Sequence, residues 1–251
     1  MFSSSTIISI FVAVVLSLSR QGNACDYLHH ETITPSEASQ HEVGVADSDQ
    51  HVIPTIPHST REHWMRRANR VLSDLVSPCP FAAFASVIVN HTDVSSSPLG
   101  RLVCVGVNSA SQRGNPTLHG EMDAINRCSE VLQNPPFGLS PAEASLALRD
   151  LTLYTNGEPC PMCASAIRWA GFRECVYGTS IETLISLGWT QIAVPSREIF
   201  ARSGLLPTET ALIPDVLTTE TDPLFSWQFD ADAPCPGSCY RDDSRNCVPR
   251  T

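Results

Sequence analysis

Two short runs of metal-binding residue types, His119-Gly120-Glu121 and Pro159-Cys160-Pro161-Met162-Cys163, constrain the fold of this chain more than any other feature. Asn115-Pro116-Thr117 precedes the histidine and combines a capping side chain with a proline suited to a helix start. Cys160 and Cys163 are three residues apart with apolar residues after them, which places both sulfurs on one side of a second helix. One metal ion can use all three side chains only if the two helices begin side by side.

One imidazole and two thiolates are ligands that zinc uses in catalytic sites, because three protein ligands leave the fourth tetrahedral position open. Glu121 lies two residues from His119 and does not share its helix face, which predicts a proton carrier rather than a fourth ligand. A closed structural site would need another protein ligand, and the nearest candidate, Cys128, lies more than two helical turns away. The residues therefore predict a zinc site at His119, Cys160 and Cys163. The H-x-E and P-C-x-x-C pattern resembles the signature of zinc-dependent nucleobase deaminases, which implies that Glu121 is the catalytic residue of a hydrolytic deamination.

Apolar runs of strand length alternate with helical patterns, which predicts an α/β fold with a sheet covered on both faces. The first helix is expected to begin at Ser59 with a capping box to Glu62. Its buried stripe is expected to contain Trp64, Ala68, Val71, Leu72 and Leu75. A second box, Ser140 with Glu143, should start a short helix ending near Arg149. The expected strands are 81–89 and 102–107, paired as a hairpin, then 151–155, 174–177 and 191–194, with a helical segment at 182–187. The active site is expected beyond the strand ends, at the starts of the two zinc helices.

The first 24 residues have the pattern of a secretory signal peptide, with an apolar stretch at 7–18 and small residues before Cys25. The stretch is shorter than the roughly 20 apolar residues of a membrane anchor, so no membrane span is expected after cleavage. The sequon Asn90-His91-Thr92 predicts glycosylation of Asn90, and ten cysteines suit an oxidising compartment. We therefore expect a secreted, extracellular glycoprotein.

Four segments are expected along the chain: the signal peptide at 1–24, an acidic disordered linker or propeptide at 25–58, a zinc deaminase domain at 59–228 and a cysteine-rich tail at 229–251. Cys235, Cys239 and Cys247 lie in the tail. With Cys160 and Cys163 assigned to zinc, the pairing of the other cysteines cannot be read from the sequence. Disulfides are favoured in a secreted chain, and a second zinc site in the tail is the alternative.

All 16 basic residues are arginine, which excludes lysine Schiff-base chemistry, pyridoxal-phosphate enzymes and a P-loop lysine. The formal net charge is −10, and loss of Arg20 with the signal peptide makes the remaining chain one unit more negative. A chain with this charge is repelled by phosphate backbones, which argues against a nucleic-acid partner.

The residues around both runs resemble the cytidine-deaminase-like superfamily of zinc-dependent deaminases, over about 81–194. Pro80-Phe81-Ala82-Ala83, Asn115-Pro116-Thr117 and Glu158-Pro159-Cys160-Pro161-Met162-Cys163 resemble bacterial guanine deaminases and, less closely, tRNA adenosine deaminases. Thr117-Leu118-His119-Gly120-Glu121 is closer to fungal cytosine deaminases.

The resemblance implies a three-layer α/β/α sandwich with a central mixed sheet of about five strands, and a homodimer. It also implies that Asn108, at the end of the second strand, hydrogen-bonds the substrate ring. Guanine deaminases carry an acidic residue after the fourth strand that assists proton transfer. Glu182 is the nearest acid here and is a candidate substrate contact, although the simplest alignment puts Thr183 at that place.

Motif and resemblance together indicate a zinc-dependent hydrolytic deaminase of a free nucleobase or nucleoside, with guanine slightly favoured over cytosine or cytidine. A tRNA adenosine deaminase is the alternative within the same class. A secreted interaction protein or effector that keeps the deaminase fold without turnover is the alternative outside it.

Overall fold

The computed structural model of this chain describes residues 55–94 and 97–250. The predicted signal peptide and nearly all of the predicted linker lie outside the described residues. The helices are α1 (His58–Leu75), α2 (Ala110–Arg113), α3 (Gly120–Gln133), α4 (Pro141–Ala147), α5 (Pro161–Ala170), α6 (Ile181–Ser186), α7 (Ser196–Arg202) and α8 (Thr218–Thr221). The strands are β1 (Ala85–Asn90), β2 (Arg101–Val107), β3 (Leu151–Gly157), β4 (Glu174–Thr179), β5 (Ala211–Ile213), β6 (Cys239–Arg241) and β7 (Cys247–Pro249).

A five-stranded mixed sheet in the order β2-β1-β3-β4-β5 forms the centre of the domain. Strand β1 pairs antiparallel with both β2 and β3, which confirms the predicted hairpin, whereas β3, β4 and β5 run parallel. The start of β1 and the ends of β2, β3 and β4 therefore lie at the same end of the sheet, measured along the strands. Phe84, Asn108 and Glu158 lie next to these strand ends and hence at the same end of the sheet.

Alternate residues of the strands face two separate hydrophobic cores. Val87 and Tyr154 belong to the core that contains α1, while Ile88, Leu153 and Cys175 belong to the core that contains α3 and α5. Every residue of β3 and of β4 is buried, as expected for central strands covered on both faces. This arrangement confirms the predicted three-layer α/β/α sandwich with a mixed sheet of five strands.

Helix α1 begins one residue earlier than predicted and without a capping side chain. Pro57 occupies the position before the helix, so Ser59 lies inside the first turn, where its hydroxyl cannot serve as the cap. Glu62 instead lies 3.5 Å from His58, one turn earlier. The capping box predicted at Ser59 is therefore wrong. The predicted stripe is buried except for Leu75, the last helical residue, which is 54% exposed.

The second predicted capping box forms at the start of α4. Ser140 Oγ accepts a hydrogen bond from Glu143 N at 3.4 Å, and Glu143 Oε2 accepts one from Ser140 N at 2.9 Å. Pro141 occupies the first helical position, where its missing N–H costs nothing. A 3₁₀ turn at Leu148–Asp150 extends the helix close to its predicted end near Arg149.

The fifth strand lies later in the chain than predicted. Residues 191–194 form no strand and belong to the segment 187–195 between α6 and α7, which we call the wall segment. Strand β5 instead pairs with Glu174, Cys175 and Val176 at the edge of the sheet. The apolar run at 191–194 has the length of a strand, but it lies in the connection between two short helices. The place beside β4 is taken by β5 instead.

Disulfides attach the C-terminal tail to the domain. Cys79 pairs with Cys239, Cys235 with Cys247, and Cys104 with Cys128 within the α3 core. Trp227 packs with Cys79, Cys239 and Cys247 in a third, small core. The tail cysteines thus form the disulfides that were favoured over a second zinc site. Within 55–94 and 97–250, no helix is both long and apolar enough to cross a bilayer.

Candidate active site

His119 is placed by the close approach of α3 to strand β2. It occupies the cap position of α3 in an extended backbone conformation. Gly106 in β2 permits this approach, because a Cβ atom there would overlap the backbone of Gly120 and the turn that follows. Asp123 Oδ2 accepts a hydrogen bond from Val107 N at 3.0 Å and holds the helix in register with the strand.

Strand β3 brings Cys160 and Cys163 to the same end of the sheet as His119. Cys160 is the cap residue of α5, and Cys163 lies in the first turn of that helix. Glu158 N donates a hydrogen bond to Thr179 O at 2.7 Å, which ties the loop after β3 to the end of β4. The two helix starts predicted from the sequence are therefore adjacent in the structure.

The three side chains have the spacing of zinc ligands. His119 Nδ1 lies 3.6 Å from the sulfur of Cys160 and 3.6 Å from that of Cys163, and all three ligand atoms lie within 4.8 Å of one another. Tetrahedral zinc, with Zn–N bonds of about 2.0–2.1 Å and Zn–S bonds of about 2.3 Å, separates nitrogen and sulfur ligands by about 3.6 Å. Among the residues that the structure describes, this is the one cluster of three metal-binding side chains, and Cys128 is excluded from it by its disulfide. The donor set fits zinc.

The two sulfurs differ in how readily they ionise. Hydrogen bonds from the Cys163 thiol and the His119 ring lower the pKa of Cys160 to about 4. The hydrogen bond to Cys160, together with burial, raises the pKa of Cys163 above its usual range. A divalent cation held by both sulfurs favours the thiolate form of each, because the thiolate is the metal-binding form.

Glu121 lies beside the ligand cluster without belonging to it. It is in the first turn of α3 and is 5% exposed. Burial raises the pKa of its carboxyl to about 7. The carboxylate lies outside the cluster of ligand atoms and lines the adjoining cavity together with His119 and Cys160. This is the placement expected of a proton carrier that does not bind the metal.

A cavity of about 200 Å³ opens beside the ligand cluster. Phe84 and Trp189 form an aromatic wall, with ring centroids 5.2 Å apart and the rings edge to face. The polar lining comes from Asn108, Glu158, Thr190 and Gln191. Within 55–94 and 97–250, Glu121 and Glu158 are the carboxylates of the lining, and no arginine contributes to it. The cavity therefore suits an uncharged planar ring with hydrogen-bonding edges.

Two residues that shape the cavity were not singled out from the sequence. Buried Asn156 accepts a hydrogen bond from Ala85 N at 3.0 Å and donates one to Ala83 O at 2.8 Å, which fixes the segment carrying Phe84. Trp189 Nε1 donates to the Phe225 carbonyl at 2.9 Å. An amide side chain directly after the predicted strand 151–155 was the one signal that could have indicated Asn156. Trp189 gave none, because its partner lies far along the chain.

Asn108 lies directly after β2 and in the cavity lining, where the family resemblance put it. Its Oδ1 accepts a hydrogen bond from Ala110 N at 3.1 Å. Glu182 does not reach the cavity: its side chain is 79% exposed and lies 3.7 Å from Arg197. The expected substrate contact by Glu182 is thus incompatible with its position. Thr183, the alternative at that place, donates its backbone N–H to Ser180 Oγ at the start of α6.

Asn90 is the last residue of strand β1 and lies at the end of the sheet opposite the cavity. Its Oδ1 accepts hydrogen bonds from Thr92 N at 2.8 Å and from Thr92 Oγ1 at 2.7 Å. Glycosylation at this sequon stays a prediction.

The sequence also matches known proteins. The family described as "Cytidine and deoxycytidylate deaminase zinc-binding region" matches residues 58–179. A guanine deaminase of Bacillus subtilis is 30% identical over 116 residues, which cover 46% of this chain and 62% of the relative. A "Probable cytosine deaminase" of Schizosaccharomyces pombe is 52% identical over 104 residues, which cover 41% of this chain and 51% of the relative. In both cases the chain spans less than two thirds of the relative's own length.

The fold also matches solved structures. That of a guanine deaminase from Nitrosomonas europaea superposes with a TM-score of 0.50 and 16% identity, covering 72% of this chain and 97% of that chain. At this identity the likeness shows the fold alone, and it agrees with the α/β/α layers described above.

Proposed function

The chain belongs to the cytidine-deaminase-like superfamily of zinc-dependent deaminases, and from this premise we propose that it is a hydrolytic deaminase of a free nucleobase or nucleoside. One observation carries the proposal. Glu121 lines a cavity with an aromatic wall, next to a cluster of His119, Cys160 and Cys163 that has zinc-ligand spacing. A site for the metal that supplies the nucleophile, a proton carrier and a cavity that suits a planar ring thus lie next to one another.

Zinc held by His119, Cys160 and Cys163 would supply a nucleophile at neutral pH, because it lowers the pKa of a water that it binds to roughly 7. Glu121 would take the proton of that nucleophile and deliver it to the ring nitrogen of a C=N unit. The remaining proton of the water passes through Glu121 to the departing amine. Water and an amino-substituted ring thus yield a ring carbonyl and ammonia.

Charge in the cavity favours bases and nucleosides over nucleotides. In the part of the chain that the structure describes, the lining contains Glu121 and Glu158 but no arginine, and the sequence has no lysine. A phosphate group would meet two carboxylates and no arginine or lysine side chain, which makes its binding unfavourable. The formal net charge of −10 weighs against a tRNA substrate, whose phosphate backbone needs basic side chains around the site.

Guanine and cytosine are the two bases to compare first. The sequence pattern favoured guanine slightly, and a bacterial guanine deaminase is among the relatives. The exposed position of Glu182 removes one support for guanine, because that residue was the candidate for the acid of guanine deaminases. The 52% identity to a probable cytosine deaminase supports cytosine.

The test is ammonia release by the purified, zinc-loaded protein from guanine, cytosine, their nucleosides, their monophosphates and a tRNA anticodon stem-loop. We expect turnover of at least one base or nucleoside and poor turnover of the monophosphates and the RNA. The matched control is Glu121→Gln, which keeps the side-chain shape. It should retain one zinc per chain by metal analysis while kcat falls by roughly two to four orders of magnitude.

Zinc-loaded protein that releases no ammonia from any base or nucleoside would contradict the proposal. So would a Glu121→Gln protein as active as the parent. Loss of zinc in Glu121→Gln would show that the carboxylate binds the metal.

We also propose that the chain is secreted after removal of residues 1–24 and carries a glycan on Asn90. The disulfides of the domain support this compartment, because reducing compartments keep thiols unpaired. Mass spectrometry of the mature protein should find an N-terminus near Cys25, and an intact Met1 would contradict secretion. The homodimer implied by the family resemblance is likewise a proposal, which sedimentation of the purified protein tests.

A further inference from the structure

Glu158 is the one cavity-lining carboxylate that the proposed chemistry does not use. It lies two residues before Cys160, and only 5% of its surface is exposed. Oε2 accepts a hydrogen bond from Ile181 N at 2.8 Å. Oε1 accepts two more, from Ser196 N and from Ser196 Oγ, both at 2.7 Å. A buried carboxylate with three short bonds is held in a single position.

The donors of these bonds begin two different helices. Ile181 is the first residue of α6, and Ser196 is the first residue of α7. The first amides of a helix have no partner within the helix, so the carboxylate satisfies groups that would otherwise be buried unpaired. Both donors are almost completely buried, which leaves water unable to replace the carboxylate.

The wall segment, 187–195, connects these two helices and carries the cavity residues Trp189, Thr190 and Gln191. Glu158 therefore holds a helix start on either side of this segment. The same residue belongs to the loop that presents Cys160 to the metal cluster. One side chain thus fixes the distance between the metal half of the cavity and its opposite wall.

We propose that Glu158 is a positioning residue that sets the place of the wall segment against the metal cluster and thereby the affinity of the cavity for its ring ligand. It neither binds the metal nor transfers protons. The proposal rests on the function proposed above for this cavity. It assigns the fit of the substrate ring to a residue that is hydrogen-bonded to the first residues of the two helices flanking the wall segment.

Glu158→Gln tests this assignment with little change in shape. The amide offers one acceptor oxygen, so either Ile181 or Ser196 loses its bond and faces an NH₂ group instead. We expect KM for the best base to rise about tenfold, with kcat within about threefold of the parent. Zinc should remain at one ion per chain. Glu158→Asp, which keeps both acceptor oxygens on a shorter side chain, should give a smaller rise in KM.

Two controls separate positioning from general stability. Ser196→Ala removes the hydroxyl donor but leaves both backbone bonds to Glu158, so KM should stay within about threefold. Glu174→Gln alters another buried carboxylate at the opposite end of the sheet. Its oxygens accept hydrogen bonds from the Arg61 guanidinium at 3.0–3.3 Å. It should lower the unfolding midpoint and leave KM unchanged.

Amide hydrogen exchange provides a measurement that needs no substrate. In Glu158→Gln the amide of Ile181, of Ser196 or of both should exchange at least about tenfold faster, while the amide of Ala85, held by Asn156, should not change. If Glu158→Gln does not fold, Glu158→Asp carries the same comparison. Unchanged exchange at both amides, or a fall in kcat at unchanged KM, would overturn the assignment. Failure of the proposed function instead leaves the exchange result intact and removes only turnover.

Discussion

At the scale of single residues, Asn108 combines a hydrogen bond within the protein with a place in the cavity lining. Its Oδ1 accepts a hydrogen bond from Ala110 N at 3.1 Å, so the NH₂ group is the donor that it can offer to a ring acceptor. Asn108→Ala should therefore lower kcat/KM by about 5- to 150-fold, which corresponds to about 1–3 kcal/mol, without loss of zinc.

The matched control for Asn108 is Asn115→Ala. Asn115 also uses Oδ1 as an acceptor, for Thr117 N at 3.0 Å and Thr117 Oγ1 at 2.7 Å, but it lies outside the cavity lining. Steady-state kinetics should show a fall in kcat/KM for Asn108→Ala and little change for Asn115→Ala. Equal effects of the two substitutions would show that Asn108 acts through loop structure and not through the ring.

His91 makes stability depend on pH. Its Nε2 lies 2.9 Å from the Tyr154 hydroxyl. Burial lowers its pKa to about 4, and the charges of Arg173 and Arg61 act in the same direction. The unfolded chain binds a proton at this side chain near pH 6.5, whereas the folded chain does not until about pH 4. The contribution of His91 to the free energy of unfolding should therefore decrease as pH falls from about 6.5 to 4.

Denaturant unfolding across this range measures the effect. Partial exposure should keep the slope for His91 below the full linkage value of about 1.4 kcal/mol per pH unit. His91→Gln removes the titrating group and keeps the sequon, so its curve should be flatter. His58→Gln, at a side chain that is 69% exposed, is the control and should retain the parental slope. An unchanged slope in His91→Gln would contradict the prediction.

Local spacing explains why the metal residues could be predicted and the rest of the cavity could not. Neighbouring residues mark the helix starts at which His119, Cys160 and Cys163 lie. The sequence alone therefore predicts that these three side chains share one metal ion. Glu158 and Trp189 act through partners 23 to 38 residues away, whose proximity depends on how the helices pack. Glu182 was placed by resemblance, and packing turned it to solvent.

At the scale of elements, two identical local patterns behave differently. Ser59 and Ser140 are each followed three residues later by glutamate, yet only Ser140 forms a capping box. The difference lies in the chain before the serine, since Pro57, two residues before Ser59, takes the cap position of α1 and places Ser59 inside the helix. A capping pattern therefore predicts that a helix begins nearby, but its exact first residue depends on the chain that enters the helix.

This difference predicts unequal costs for the same substitution. Ser140→Ala removes an acceptor for Glu143 N and should lower the free energy of unfolding by about 1 kcal/mol. Ser59→Ala removes no capping bond and should change it by less than about 0.5 kcal/mol. Urea denaturation of both variants tests this. A larger loss for Ser59→Ala would mean that its hydroxyl caps α1 in solution.

At the scale of the whole molecule, the sheet and its two helical layers follow from the alternation of apolar runs, whereas the attachment of the tail does not. Many pairings of the cysteines outside the zinc cluster were compatible with the sequence. Pairing requires Cα atoms about 4.4–6.8 Å apart, a distance that only the folded chain determines. Cys79 and Cys239 meet this condition at 6.3 Å although 160 residues separate them. The tail packs against the wall segment through Phe229, whose ring centroid lies 5.2 Å from that of Trp189.

The long-range disulfide should matter for both stability and substrate binding. Cys79→Ser with Cys239→Ser should lower the free energy of unfolding by about 2–5 kcal/mol, because the open chain regains the entropy of a long loop. KM should also rise, because Phe229 in the tail packs against the Phe81 ring at a centroid distance of 5.7 Å. Phe81 in turn packs against Trp189 of the wall segment at 5.7 Å.

The control is the other tail disulfide, between Cys235 and Cys247, which closes a separation of only 12 residues. In the chain-entropy account its removal by serine substitution should cost about 2 kcal/mol less than removal of the long-range disulfide. Its loss should leave KM near the parental value, because Cys79 and Cys239 still hold the tail to the domain. Urea denaturation, steady-state kinetics and metal analysis on the two double variants make the comparison, and both should retain one zinc per chain. A greater loss of stability from the short loop, or an unchanged KM without the Cys79–Cys239 bond, would show that the tail packs on the domain without supporting its cavity.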